Sequence, residues 1–236
     1  MNEHTVKSYE DELVQLDKRI ANMGGLAEHS LGQAFQALER RDPSLAETVV
    51  KSDNAIDAMH HEIEALVISI IARRQPMAID LRHLVGALRI TSDLERIGDL
   101  AKNIAKRALA IASESHPKPL MTGLRHMAEL ALSQLKNALD AYAERDADRA
   151  MAVWRADEQI DATYNSIFRE LLTYMMEDPR NIGLSTHLLF GAKNLERVGD
   201  HTTNIAETVY FLVTGTNISD DRPKGDETAS ILFGRG

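Results

Sequence analysis

Apolar residues recur along this chain at intervals of three and four, as in Leu38, Leu45, Val49, Ile56, Ile63, Leu66 and Ile70, and no segment sustains an alternation of period two. The first spacing lines one face of a 3.6-residue helix, whereas a half-buried strand needs the second. The six prolines, Pro43, Pro76, Pro117, Pro119, Pro179 and Pro223, fall where the apolar pattern breaks. Proline lacks the amide donor and clashes with the preceding turn, so these positions punctuate helices. The pattern predicts helices over residues 5–41, 43–74, 77–113, 121–145, 146–177 and 179–214. Gly24 and Gly25 predict a kink in the first helix or a separate segment there. Residues 113–119, with Ser115, Pro117 and Pro119, read as a linker. After Gly215 the periodicity is lost and the chain reads as a mobile tail, in which Ile231, Leu232 and Phe233 can dock locally.

The two halves repeat. Asp53 and Asp57 recur 104 residues on as Asp157 and Asp161, and Pro76 recurs 103 on as Pro179. Leu94-Glu95-Arg96-Ile97-Gly98-Asp99 recurs 101 on as Leu195-Glu196-Arg197-Val198-Gly199-Asp200, followed in both copies by an Asn-Ile-Ala at Asn103 and Asn204. Matches in the same order with so little drift indicate duplication of a three-helix unit. The division expected is residues 1–114 and 115–214, two three-helix layers stacked side by side, with 215–236 as the tail.

Composition agrees with an all-α fold: aromatic residues are 5%, and 13 glycines with 6 prolines supply few turns for an all-β chain of 236 residues. The net charge of −9 repels a phosphate backbone, so nucleic acid is not an expected partner and cations are. The absence of cysteine excludes disulfides, thiolate metal sites and cysteine catalysis, and fits a reducing compartment. Glu3, Glu10, Asp11 and Glu12 stand where a signal peptide would be basic and then apolar, and the longest apolar run, 65–72, falls far short of the ~20 residues that span a bilayer. A cytoplasmic location is expected.

Four acid pairs stand at i,i+4: Asp53/Asp57, Glu95/Asp99, Asp157/Asp161 and Glu196/Asp200. Residues four apart lie one turn above another, so each pair aims two carboxylates the same way, at a cost of ~0.2–0.5 kcal/mol unless a positive charge lies between them. A single such pair reads as a solvated face with Arg96 or Arg197 as counter-ion. Four pairs at equivalent places, with Gly98 and Gly199 permitting close approach of a neighbouring helix, favour a metal. Oxygen ligands suit Mg²⁺, Mn²⁺, iron or Zn²⁺. Asn103 and Asn204 read equally as outer partners of such a metal or as the polar end of the stripe.

None of the nine histidines has glutamate three residues before it, which argues against a ferritin-like di-iron enzyme; His60 and His83 have Asp57 and Asp80 there. His60, His61 and His201 lie beside the acid stripes and are read as surface or packing residues ahead of ligands. Met175 and Met176 are read as core filling, and Arg73, Arg74 and Arg82 as cations at a helix end, with an anion or partner contact as the sharper alternative. Walker A, Gly-x-Gly-x-x-Gly and Gly-x-Ser-x-Gly motifs are missing, so no catalytic residue is assigned.

Stretches 72–108 and 171–207, each built around Glu-Arg-Ile/Val-Gly-Asp, resemble the PhoU family, and the likeness extends over about residues 9–215. The resemblance implies an all-α protein of two similar three-helix bundles. It implies a cytoplasmic, non-enzymatic regulator that restrains the phosphate-starvation response and modulates phosphate uptake, acting between the ATPase of the phosphate ABC transporter and a sensor histidine kinase. It also carries the expectation of a homodimer that reaches the membrane only through partners. The family's metal pattern of an acid, three residues and Asp maps onto Glu95/Asp99 and Glu196/Asp200, with Asp53/Asp57 and Asp157/Asp161 on the preceding helices. Asp80 and Arg82 lack counterparts around Gly183 and Leu184, and Asp93 becomes Asn194, so the two sites are expected to differ in metal affinity. A carboxylate-bridged metalloenzyme of the bundle type and a plain scaffold with solvated acids are the alternatives.

Overall fold

A computed structural model describes residues 3–114 and 118–219 of the chain. Among these residues, six α-helices carry the fold: α1 (Glu3–Arg40), α2 (Pro43–Arg74), α3 (Ile79–Ala110), α4 (Lys118–Glu144), α5 (Ala147–Glu177) and α6 (Ile182–Thr214). A single 3-10 turn, Pro179–Asn181, leads into α6. The division at residue 114 adjoins the undescribed 115–117, and the tail beyond 219, including Ile231, Leu232 and Phe233, lies outside the described residues.

The duplication extends to the turns. Arg41 and Arg145, 104 residues apart, both hold φ in the left-handed region, at 56° and 53°. In each turn the following aspartate donates its amide to a carbonyl five residues back, Asp42 to Ala37 and Asp146 to Ala141, both at 3.0 Å. Each aspartate then caps the next helix: Asp42 accepts from the Leu45 amide at 3.0 Å and Asp146 from the Arg149 amide at 2.9 Å. This closes one helix and opens the next within two residues, forcing an antiparallel hairpin.

Several boundaries differ from the periodicity by one to three residues, among them the end of α3 at Ala110 rather than 113 and the start of α6 at Ile182 rather than 179. α3 starts at Ile79 rather than 77, because Ala78 takes φ 51° after Pro76. α4 starts at Lys118 rather than 121, with Pro119 in its first turn, where a missing amide donor is tolerated. Gly24 and Gly25 neither kink nor divide α1, which runs unbroken as one helix. A Cβ at Gly24 would overlap Leu139 of α4, so that glycine serves helix approach and not chain bending.

Within each half, α2 packs on α1 and α3, and α5 on α4 and α6; α3 on α6 and α1 on α4 then join the halves side by side. A continuous core of residues such as Leu16, Ile20, Ile90, Leu94, Leu135 and Leu188 runs through both, with buried alanines including Ala34, Ala87, Ala101 and Ala206 letting helices approach closely. Met176 is 85% exposed, against the expectation of core filling, because it lies at the end of α5 beyond the last packed turn. Among the described residues no helix is long and apolar enough to cross a membrane.

Candidate functional site

The eight predicted carboxylates sort into two clusters at equivalent interfaces, Asp53, Asp57, Glu95 and Asp99 between α2 and α3, and Asp157, Asp161, Glu196 and Asp200 between α5 and α6. The glycine in each motif sets the approach. A Cβ at Gly98 would lie 2.9 Å from Ile56 Cδ1 and 3.5 Å from Asp53 Oδ1; at Gly199 it would lie 3.0 Å from Ile160 Cδ1 and 3.6 Å from Asp157 Oδ1. Both helices can therefore bring a buried aspartate over the motif only because no side chain is there.

The clusters balance their charge differently. In the first, Lys102 on α3 donates to Asp53 and, at 2.8 Å, to Asp99, while Arg96 reaches Glu95 and Asp99 at 3.2 Å each. Burial lowers the Lys102 pKa, but its bonds to Asp53 and Asp99 outweigh that and hold it above the ordinary lysine value. Glu95 is held above the usual carboxylate value by burial and by Asp99, with Asp57 adding to the effect and Arg96 and His60 opposing it. In the second cluster Thr203 takes the place of Lys102 and donates its hydroxyl to Asp157 at 3.0 Å. Lys193 donates to Glu196 at 2.8 Å while its ammonium sits 5.0 Å from the centre of the Tyr164 ring. Burial holds the Glu196 carboxyl above its usual value; Lys193 pulls the other way, and Asp200 and Asp161 push it up again.

Each cluster keeps one buried anionic oxygen without a hydrogen-bond partner, Asp53 Oδ1 in the first and Glu196 Oε2 in the second. A buried, undonated carboxylate oxygen beside further carboxylates is an environment a hard cation satisfies, so these donor sets fit an oxygen-ligated metal. In the side-chain arrangement described, no three of the eight carboxylates converge on one point. Among the described residues, the one set of three or more metal-ligating groups whose donor atoms lie within 4.8 Å of one another is His60, His61 and Glu64 on α2.

Other sequence candidates belong elsewhere. Asp93 points across the junction of the halves, where His201 Nδ1 lies 2.9 Å from it and Asn204 Nδ2 donates at 3.2 Å. His201, Asn204 and Asp93 thus join α3 to α6, and the clusters differ by Lys102 against Thr203 and by Lys193 on Glu196 rather than by Asp93 against Asn194. Arg73 and Arg74 stand in the last turn of α2 and clamp Glu12 of α1 at 3.0 Å each. Arg82 instead lies over Phe211, 5.6 Å from the ring centre.

Sequence reasoning missed one feature. A cavity of about 880 Å³ opens where α1, α3, α4 and α6 meet, with Lys18, Arg82, Arg145, Leu139, Val209 and Leu212 among its walls. Asp17, His83 and Tyr142 also line it, and there Asp17 accepts from Tyr142 at 2.6 Å and lies 2.7 Å from His83 Nε2. Burial raises the Asp17 pKa, but His83 and Tyr142 bring it below the usual carboxylate value. Asp17, His83 and Tyr142 share no local spacing, so only the packed helices could reveal them.

The model of the PhoU domain family matches residues 20–108 and 124–209 of the chain. A phosphate-specific transport system accessory protein PhoU homolog of Rhizobium meliloti (strain 1021) is 51% identical over 228 residues, covering 97% of this chain and 96% of that one. The crystal structure of PhoU from Pseudomonas aeruginosa superposes with a TM-score of 0.86 at 39% identity, covering 88% of this chain and all of the other. That of the phosphate transport system regulatory protein PhoU from Streptococcus pneumoniae gives 0.83 at 30% identity, covering 90% of this chain and 100% of its own.

Proposed function

The chain belongs to the PhoU family, and from that premise we propose that it is a cytoplasmic regulator of phosphate transport which restrains phosphate-starvation signalling by protein contacts. The observation that carries this is 51% identity, over nearly the full length, to a phosphate-specific transport system accessory protein PhoU homolog, with both repeats included. Its partners are the ATPase of the phosphate ABC transporter and a sensor histidine kinase, and it works as a homodimer. Each half leaves apolar side chains in solvent at its second connection, Met77 and Ile79 in one and Met176 and Ile182 in the other, which supports action by contact. Of the two histidines with an aspartate three residues ahead, His83 is bonded to Asp17 away from the acidic clusters and so lends the bundle-type metalloenzyme no support.

In the same reading, divalent or trivalent metal ions such as magnesium, manganese, iron or zinc are held by Asp53, Asp57, Glu95 and Asp99 and by Asp157, Asp161, Glu196 and Asp200. A cation there supplies charge neutralisation. The protein's part is to bring the carboxylates of two helices to one interface and to keep water from the innermost of them, with Asp53 and Asp157 buried at 2% and 3% exposure. Lys102 neutralises part of the first cluster through Asp53 and Asp99, and Lys193 part of the second through Glu196, so a metal in either competes with a lysine.

Deletion of the gene tests the function: phosphate-starvation genes are expected to stay expressed in plentiful phosphate, and normal repression would sink the proposal. Metal content of an Asp99→Asn, Asp200→Asn double variant tests the sites. Less bound metal at unchanged helix content is expected, whereas unchanged metal content would reject the ligand assignment.

A further inference from the structure

We propose a third cation site, chemically distinct from the two carboxylate clusters: His60, His61 and Glu64 of α2 bind one borderline divalent cation of the zinc class. Asp57, His60, His61 and Glu64 stand at i, i+3, i+4 and i+7, the spacing that lines one helical face, so the site extends the acidic stripe outward by one turn. His60 Nε2 lies 3.9 Å from Glu64 Oε1, and His61 Nδ1 lies 3.6 Å from Glu64 Oε2. The two imidazoles are stacked, with centres 5.5 Å apart and planes at 19°. A tetrahedral zinc ion with bonds of about 2.0–2.2 Å needs donors about 3.3–3.6 Å apart. The donor atoms here all lie within 4.8 Å of one another, and the His61 and Glu64 side chains, 78% and 46% exposed, are free to turn inward by the remainder.

Two imidazoles and one carboxylate favour zinc, nickel or cobalt over magnesium or calcium, because nitrogen donors suit borderline cations. Exposure of His61 leaves room for water to complete the coordination sphere. Among the described residues, Glu64 is the one ion-pair partner recorded for either ring, whereas His83 and His201 are tied to Asp17 and Asp93. The site is not part of the duplication. The positions 104 residues on are Tyr164, Asn165 and Phe168, which offer no imidazole and no carboxylate, and there Tyr164 lies beside Lys193. One such site per chain follows, in the first half alone, and it does not depend on the carboxylate clusters holding metal.

Calorimetric titration of the metal-stripped full-length protein with Zn²⁺ and, separately, Mg²⁺ tests this. Zinc is expected to show one binding event that magnesium lacks. His60→Ala with His61→Ala should weaken it by about tenfold or more, and Glu64→Gln should weaken it too. His61 and Glu64 face solvent while His60 is largely covered, so helix content should be unchanged in both variants, and His61→Ala alone, at the exposed ring, should weaken zinc binding with thermal unfolding unaffected. Zinc should also move the side-chain NMR signals of His60 and His61 and leave those of His83 and His201 in place. A zinc isotherm unchanged by the histidine substitutions would overturn the proposal. So would loss of the event in Asp99→Asn, Asp200→Asn with the histidines intact, since the zinc would then sit in the carboxylate clusters.

Discussion

Lys102 and Thr203 occupy equivalent places 101 residues apart, as do Ser92 and Lys193, and these differences give each half its own electrostatics. Asp53 is buried, and Lys102 is the one cation recorded on it. Lys102→Met therefore strands a buried carboxylate, which is expected to lower metal-free stability by about 3–5 kcal/mol in urea titration, while adding Asp53→Asn should recover most of the loss. A single variant as stable as the parent would mean that Asp53 is satisfied by other groups. At Asp17 the expected effect is on pH dependence. Its folded carboxyl titrates below the usual value, so its stabilisation is complete above the unfolded value of about 4 and fades as pH falls through the folded one. The stability gap between the parent and Asp17→Asn should thus close as pH falls into acid. A gap independent of pH down to strong acid would contradict the bonds from His83 and Tyr142 as the cause.

At the scale of the helix, the glycines divide by what stands over them. A Cβ at Gly86 of α3 would come within 2.5 Å of Leu212 Cδ2 and 2.9 Å of Leu212 Cγ, whereas nothing lies within 4 Å of one at Gly32 of α1. Gly86→Ala should cost about 1–3 kcal/mol through overpacking, and Gly32→Ala should gain up to about 1 kcal/mol from helix propensity. Chemical denaturation of the two variants checks both signs; equal shifts would mean that α3 and α6 do not approach as described. Helix periods and prolines made all six helices legible, because an amphipathic face and a missing amide are local properties. The start of α3 at Ile79 was not, since the positive φ of Ala78 has no glycine to announce it. Nor was the role of Gly24, whose missing side chain makes room for Leu139 of another helix.

Across the whole molecule, Asp93 of α3 meets His201 and Asn204 of α6, binding one half to the other with groups 108 and 111 residues away. A double-mutant cycle on Asp93→Ala and His201→Ala is expected to give a coupling energy of about 0.5–3 kcal/mol. Strict additivity would mean that the contact does not hold the halves together. The cavity beside α1, α3, α4 and α6 belongs to this scale as well, because its walls come from both repeats.

The sequence alone determined the helical class, the duplication and the eight carboxylates, since each is a matter of period or spacing along one chain. It extended further than expected in the turns, where Arg41-Asp42 and Arg145-Asp146 repeat the same left-handed residue and cap. Only the tertiary structure decided which charges meet. Asp53 finds Lys102, Asp93 leaves the acid stripe for His201, and Asp17 joins His83 to Tyr142 because helices distant in sequence are pressed together by a shared apolar core. Coulomb interaction follows distance in space, and spacing along a chain sets that distance only within a helix.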